Sequence, residues 1–484
     1  MSETFAAQLA KRLRGQDPIT TPALGWLEER LRLQDASIDE AVQHEQRSEG
    51  ASNVTVRNVI TSMRLISDID WAELFESVSL VDERLRAASA FSAMDFPTRN
   101  LYRSAIEQLA RGSSSTELEV TDLALNASHA AAAEAANPEA AERAGDPGFH
   151  LIAEGRRALE RTIGFRPPPR LRINRFNARL GIGGYVGAIL FVTMGLLLLA
   201  LWALAVSGLA GGLLALFVLI GFLLATEVAS VLVNRVITWS FGATTLPGLE
   251  LTAGVPPSLR TLVAVPTLLT SEADLLEQIE RLEVHHLAGA GGDLTFALLS
   301  DGVDADQEVL DSDAHLLGVA AEAIGRLNRR YGPGPSGSRF LLLHRRRVFN
   351  AGENKWMGWE RKRGKLHELN RLLRGATDTT FMPVAAPAPL VPADVRYVIT
   401  LDADTRLPRD AALRLIGKMA HPLNRPEFSD VEQRVIDGYA ILQPRVTPSL
   451  PVGREGSFFQ RVFSSPGGID PYAAGLGRLP GPLR

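Results

Sequence analysis

The chain has 484 residues and no cysteine, which excludes disulfides and thiolate zinc sites and suits a reducing compartment. Charge is missing just as completely from one internal stretch: between Leu180 and Thr226 there is no Asp, Glu, Lys or Arg. Such a run belongs in lipid. One helix needs about 20 apolar residues to cross the hydrocarbon. The block therefore predicts two spans, Ile182 to Val206 and Leu213 to Val233, joined by a turn over Ser207-Gly208-Leu209-Ala210-Gly211-Gly212. The start, Met1-Ser2-Glu3-Thr4-Phe5, lacks the basic head and apolar core of a secretory signal. No basic domain stands out and the net charge is −4, so nucleic acid is not an expected partner. The nine histidines lack metal-ligand spacing, and neither a P-loop nor a nucleophile elbow is present.

What surrounds the uncharged block sets an orientation. Arg161, Arg166, Arg170, Arg172, Arg175 and Arg179 precede the first span and Arg235 follows the second, while the turn carries no Lys or Arg. Positive charge stays inside, so both large soluble parts are expected in the cytoplasm of a multi-pass protein of a cell membrane. Before the spans, Leu24, Leu27 and Leu31, then Val56, Val59, Ile60 and Met63, recur at helical steps. Asn137-Pro138 breaks an Ala/Glu-rich stretch, and Pro167-Pro168-Pro169 gives the membrane approach a stiff, extended geometry. These residues read as an amphipathic helical domain, either structural or a surface for a partner.

Beyond the spans the pattern changes. Leu262–Thr267, Phe296–Asp301, Phe340–His344 and Tyr397–Leu401 are continuous apolar runs that predict buried strands. Helices are predicted between and after them at Glu272–Glu283, His315–Tyr331, Lys365–Arg374 and Arg409–Met419. That alternation predicts an α/β fold with a mostly parallel sheet covered on both faces, preceded by the helical domain and the two-helix transmembrane hairpin. Ala385 to Pro392 is expected to be a loop.

Ligands of such sheets sit beyond the carboxyl ends of the strands. Asp402-Ala403-Asp404 and Asp301 both fall there. A departing diphosphate concentrates negative charge, and a hard divalent ion held by one or two carboxylates stabilises it. Asp402 and Asp404 are therefore the candidate catalytic pair, with Asp404 as ligand of Mg²⁺ or Mn²⁺ and Asp402 turned to the ribose of a nucleotide-sugar donor. Asp301 would accept from the base or ribose, or else cap the next turn. Pro266 and Thr267 would line the same pocket. Lys362, Arg363 and Lys365 open a helix beside Gly364, an arrangement that suits phosphate, although a solvated basic face has the same composition. Trp356 and Trp359 suit sugar stacking and core packing equally. A second acidic pair, Asp304-Ala305-Asp306, reads as a solvated loop.

At these residues the chain resembles the cyclic β-1,2-glucan synthases, bacterial inner-membrane enzymes that polymerise glucose from UDP-glucose. The resemblance rests on Gly358–Leu366, Thr377–Phe381, Tyr397–Pro408, Tyr439–Arg445 and the run from Phe459–Phe463 to Gly468–Tyr472. In the helical part it rests on Leu24–Arg30 and Ile60–Leu65. More distantly, Gly364–Asn370 and the Asp402–Asp404 strand resemble cellulose-synthase-like transferases. The resemblance implies an inverting, metal-assisted transfer from UDP-glucose to a growing glucan acceptor at a lipid bilayer. It implies the organisation 1–165 helical cytosolic domain, 180–234 transmembrane hairpin and 255–484 partial GT-A-like transferase. The family's acceptor-side base and Gln/Arg/Trp motif are absent, and the Gly/Pro-rich stretch after Tyr472 departs from it, so a truncated, poorly active chain is expected. The competing expectation is a non-catalytic, membrane-anchored protein that binds a partner.

Overall fold

A computed structural model describes residues 3–13, 21–34, 36–206, 212–241, 245–289, 291–384 and 391–444. The predicted turn over 207–211, most of the Ala385–Pro392 loop, and the segments of resemblance beyond 444 lie outside the described residues. The chain divides into two compact units, Met1–Ser79 and Leu80–Arg484.

The first unit is helical: α1 (Glu3–Leu13), α2 (Thr21–Arg32), α3 (Ile38–Asp68) and α4 (Trp71–Val78). Its small core joins Ala6, Ala10, Leu27, Leu31 and Ile38. Ser37 starts α3 with a reciprocal cap, its hydroxyl taking the Glu40 amide while the Glu40 carboxylate takes the Ser37 amide. The row Val56, Val59, Ile60 and Met63, read from the sequence as an amphipathic face, is exposed.

The second unit opens with α5 (Leu80–Ala88), α6 (Phe96–Arg111), α7 (Glu117–Glu134), α8 (Pro138–Ala144), α9 (Pro147–Leu151) and α10 (Arg156–Thr162). Leu85, Phe91, Met94, Tyr102, Ile106, Leu109, Val120 and Leu151 form its core. Two long apolar helices follow, α11 (Pro169–Val206) and α12 (Gly212–Phe241). Leu171–Val206 and Leu216–Ile237 are long and apolar enough to cross a membrane. The two helices pack together, and Tyr185 donates to Asn234 Oδ1 at 2.9 Å. Of the three prolines, Pro167 and Pro168 stay outside helix while Pro169 opens α11, the helical position whose amide needs no partner.

The α/β part contains β1 (Thr261–Leu269), α13 (Glu272–Ala288), β2 (Leu294–Gly302), α14 (Asp311–Tyr331) and β3 (Phe340–Arg345). It continues with β4 (Val348–Asn350), β5 (Lys355–Met357), α15 (Arg361–Leu373), β6 (Phe381–Met382), β7 (Tyr397–Thr400) and α16 (Ala411–Ala420). A last hairpin pairs β8 (Glu427–Ser429) with β9 (Arg434–Asp437). Strands β3, β2, β1 and β7 lie side by side and parallel, with short β6 antiparallel at the β3 edge. Alternation sorts the strand side chains. Val263, Val265, Phe296, Leu298 and Leu342 pack on α13, α14 and α16, whereas Leu262, Ala264, Leu299, Leu341 and Leu343 pack on α15 from the other face. All four predicted strands and the helices between them form. The hairpin β4–β5 was not read from the sequence, because three-residue strands leave too little periodicity to see.

The α5–α10 bundle is joined to the sheet domain by a strap at 246–250. Asp95 donates its amide to Gly248 O (2.9 Å), Glu250 to Ala93 O (2.8 Å) and Leu249 to Gly417 O (3.0 Å). A Cβ on Gly417 would fall 2.2 Å from Leu249 O, so only glycine admits the strap there. Beside it the Tyr102 hydroxyl donates to Asp146 (2.5 Å), with His421 Nε2 3.7 Å from the same carboxylate. Burial raises the Asp146 carboxyl to about 6 and lowers His421 to about 3, so the imidazole is neutral.

Candidate active site

The chain runs from β1 to β2 on one side and later returns through α15, on the opposite face, to place β7 on the other side of β1. This reversal makes the β1/β7 boundary a topological switch point, whose carboxyl edge is the ligand-binding edge of open α/β sheets. Asp402-Ala403-Asp404 leaves β7 at that edge, and Thr267 and Asp301 end the neighbouring strands.

Two arrangements occupy the edge. The first lies under β2 and β3, where register sets Asp301 opposite Arg345. Arg345 is fully buried and grips Asp301 with two bonds, Nε to Oδ1 at 2.8 Å and Nη2 to Oδ2 at 2.9 Å. Lys365, from the first turns of α15, brings Nζ to 3.0 Å from the same Oδ2 and donates also to Thr267 O (2.6 Å) and Leu299 O (3.2 Å). Burial lowers the Lys365 pKa, the Asp301 charge raises it and Arg345 lowers it, with a net fall. The predicted donor residues Thr267, Asp301 and Lys365 thus meet, with Lys365 facing inward onto Asp301 and the strand carbonyls. Pro266 is buried in β1 next to them.

Arg345 also reaches outward, donating to Trp359 O (3.1 Å) and Arg361 O (3.2 Å). Those carbonyls belong to the turn that starts α15, where Glu360 (φ 51°) and Arg361 (φ 46°) both adopt left-handed backbone. Non-glycine residues there cost of order 1 kcal/mol or more each, so the Arg345 bonds hold a turn that would otherwise relax. Gly358 precedes it because a Cβ would sit 2.7 Å from the Asp301 carboxylate and 2.9 Å from Arg345 Nη2.

The second arrangement is the Asp402–Asp404 loop. Both carboxylates are exposed. Lys362 of α15 pairs with Asp402 from one face of the sheet. Arg281 of α13 donates to Ala403 O at 2.6 Å from the other face. Thr405 donates its amide to Asp402 O (2.9 Å), which closes the turn. Asp404 pairs with no described residue. Among the described residues no three His, Cys, Asp or Glu side chains come together in a way that could hold a metal ion, so an ion here would rest on one or two carboxylates and take the remaining ligands from substrate and water, as magnesium does in nucleotide sites.

No family model matches the chain. Over 469 residues, 97% of its length, it is 42% identical to the cyclic beta-(1,2)-glucan synthase NdvB of Rhizobium meliloti (strain 1021). By sequence, the chain is similar to one part of a cyclic β-(1,2)-glucan synthase. It spans 16% of the length of that relative.

Of the residues that build this edge, Arg345 and Arg281 were not singled out from the sequence. Arg345 had a signal, a charged residue closing the apolar run Phe340–His344, where burial demands a partner. Arg281 had none, since a surface arginine on α13 gives no hint of the carbonyl it meets. Trp359 is exposed and packs edge-on against His367 at 5.9 Å, and Trp356 lies against Phe349 at 5.6 Å. The pair Asp304-Ala305-Asp306, expected to be a solvated loop, is partly built in. Ala305 is buried and exchanges backbone bonds with Trp356 (2.9 and 2.8 Å), and Asp304 accepts from Arg361 (2.5 Å), while Asp306 stays exposed. A pocket of about 340 Å³ lies away from the strand ends, between Arg111 of α6 and Arg166.

Proposed function

We propose that residues 255–444 are the donor-binding part of a membrane glycosyltransferase that takes UDP-glucose and a growing β-1,2-glucan acceptor, with inversion at the anomeric carbon. The observation that carries this reading is the pair of arrangements at one switch-point edge: a clamped, buried Asp301 and a carboxylate, Asp404, left open on a tethered loop. Kinship with a glucan synthase supports the reaction class. The two apolar helices support a membrane location, and the arginines before the first uncharged span support a cytoplasmic placement of both soluble parts.

In this reading Asp404 binds Mg²⁺ or Mn²⁺, which when bound draws charge from the leaving diphosphate. Asp402 faces the ribose, held until then by Lys362. Asp301 accepts from the uridine once the donor enters, with Pro266 and Thr267 as neighbours, and Lys365 acts at one remove by fixing Asp301. Lys362 and Arg363, exposed at the start of α15, are the cations that meet phosphate, where the helix dipole favours an anion. Calorimetry of UDP-glucose with Mn²⁺ tests the assignment. Measurable binding that Asp404→Ala abolishes is expected, and equal affinity of the two proteins overturns the metal role.

A second reading, a membrane-anchored protein that recruits a partner, is favoured by the exposed row Val56, Val59, Ile60 and Met63 on α3. It predicts that Val59→Lys/Met63→Lys releases a stoichiometric partner while nucleotide binding is absent from both proteins.

A further inference from the structure

We propose that Pro169 to Leu180, the first part of α11, lies in the membrane interface as an amphipathic helix that binds the headgroups of anionic phospholipids. The backbone separates this piece from the rest: at Gly181 the helix breaks, with φ 54° and ψ −144°, so the twelve residues before it do not simply extend the span behind it. Ile173, Phe176 and Leu180 recur at steps of three and four, which sets them on one face, and they are 59%, 60% and 49% exposed. An apolar ridge so exposed calls for a cover. The cover is fixed by continuity, because the next residues enter the uncharged span and the ridge therefore stands at the level where hydrocarbon meets headgroups.

Charge fixes the kind of lipid. Arg172 and Arg179 are exposed beside the ridge. Arg175 is tied instead to Glu160 at 2.5 Å, which fastens this helix to the α5–α10 bundle. From Arg161 to Thr226 the chain has no acidic residue, so the arginines at this level exceed what Glu160 can neutralise. Burial raises the Glu160 pKa, but hydrogen bonds and charges from Arg175 and Arg156 outweigh it and lower the net value, which keeps the anchor ionised. The pocket that includes Pro168, immediately before the helix, adds Arg166 on the same approach, while its Arg111 is already paired with Glu107 at 2.6 Å.

This inference rests on α11 and α12 being membrane spans and is independent of the donor site. The absence of cysteine makes it directly testable, because a single introduced cysteine carries the only spin label. The full chain is placed in nanodiscs of phosphatidylcholine with and without phosphatidylglycerol, labelled in turn through Phe176→Cys, Ala178→Cys and Leu198→Cys, and the label depth is read from oxygen and nickel-chelate accessibility. Position 198 is expected deep, 176 shallow at the headgroup boundary and 178, on the opposite face, aqueous. The double variant Arg172→Gln/Arg179→Gln is expected to reduce retention of phosphatidylglycerol by about 25-fold, since each arginine near an anionic surface contributes roughly fivefold. A label at 176 as aqueous as at 178, or as deep as at 198, overturns the interfacial helix. So does an unchanged phosphatidylglycerol preference in the double variant. An aqueous label at 198 removes the spans themselves, which tells that failure apart from the others.

Discussion

The clamp beneath β2 and β3 and the loop after β7 sit at one edge of one sheet, yet they are built on opposite terms. Asp301, Arg345 and Lys365 are all buried and answer one another's charge, whereas Asp402 and Asp404 stand in solvent, and only Asp402 has a cation beside it. Burial makes the first arrangement dependent on every member, because an ion that loses its partner away from water keeps its desolvation cost. Exposure makes the second nearly irrelevant to folding. A site that must hold a nucleotide rigidly and still admit an ion and a diphosphate needs both kinds.

The harshest way to break the contrast is to remove a member of the clamp. Arg345→Ala leaves Asp301 with Lys365 alone and frees the Trp359 and Arg361 carbonyls, so a loss of about 3–5 kcal/mol is expected in urea denaturation. Asp301→Ala strands two buried cations and should cost a similar amount. A loss below about 1 kcal/mol for either would mean that water reaches the clamp.

Acid should act on the same layer. His344 stands opposite Ser300 in the register, with Nδ1 2.9 Å from the hydroxyl. Burial lowers its pKa to about 4, helped by the charges of Arg347 and Lys365 and opposed by those of Asp301 and Asp313. Because the folded value lies below that of the unfolded chain, the unfolded state takes the proton first. The contribution is complete above about pH 6.5 and is lost as pH falls to about 4, by at most about 3 kcal/mol. The melting temperature of the wild type should therefore fall over that window, and His344→Gln should flatten the slope. Parallel slopes for the two proteins would remove His344 from the account.

A milder perturbation keeps every charge. Gly358→Ala presses a methyl group against the Asp301 carboxylate and the Arg345 guanidinium, for an expected cost of about 1–3 kcal/mol. Donor affinity should fall with it, since the pressure falls on the residue that would hold the uridine. If affinity is unchanged while stability falls, Asp301 is purely structural.

Much of this was legible before any coordinates. Four apolar runs gave the parallel strands because buried strands have no polar face to interrupt them. Their carboxyl ends then located Asp301 and Asp402-Ala403-Asp404 without further help. The inward turn of Lys365 was not legible, since a lysine after a glycine at a helix start looks the same whether it faces phosphate or a buried carboxylate. Arg345 at the end of its strand could have warned of it, because a buried aspartate opposite a buried arginine leaves little open charge for a ligand. The left-handed turn at Glu360 and Arg361 was hidden for another reason: neither residue type prefers that backbone, and bonds from a distant arginine impose it.

The gentlest changes fall on the loop, and they sharpen the comparison most. Lys362→Ala breaks an ion pair whose two side chains are each more than half exposed, so it should cost less than about 1 kcal/mol. Asp404→Ala should leave stability within about 0.5 kcal/mol of wild type, as surface substitutions without a partner do. On the proposed reading their effects on Mn²⁺-dependent UDP-glucose binding should nonetheless differ in kind. Removing Lys362 takes away a phosphate cation and should weaken donor binding while leaving the ion its carboxylate, whereas removing Asp404 should take away the ion as well. The double variant decides between a shared site and two separate effects. If Asp404→Ala abolishes binding whether or not Lys362 is present, Asp404 holds the ion and Lys362 acts separately, through Asp402 and the donor. If Lys362→Ala restores binding in the absence of Asp404, then Asp402 carries the ion and Asp404 has no direct part in holding it.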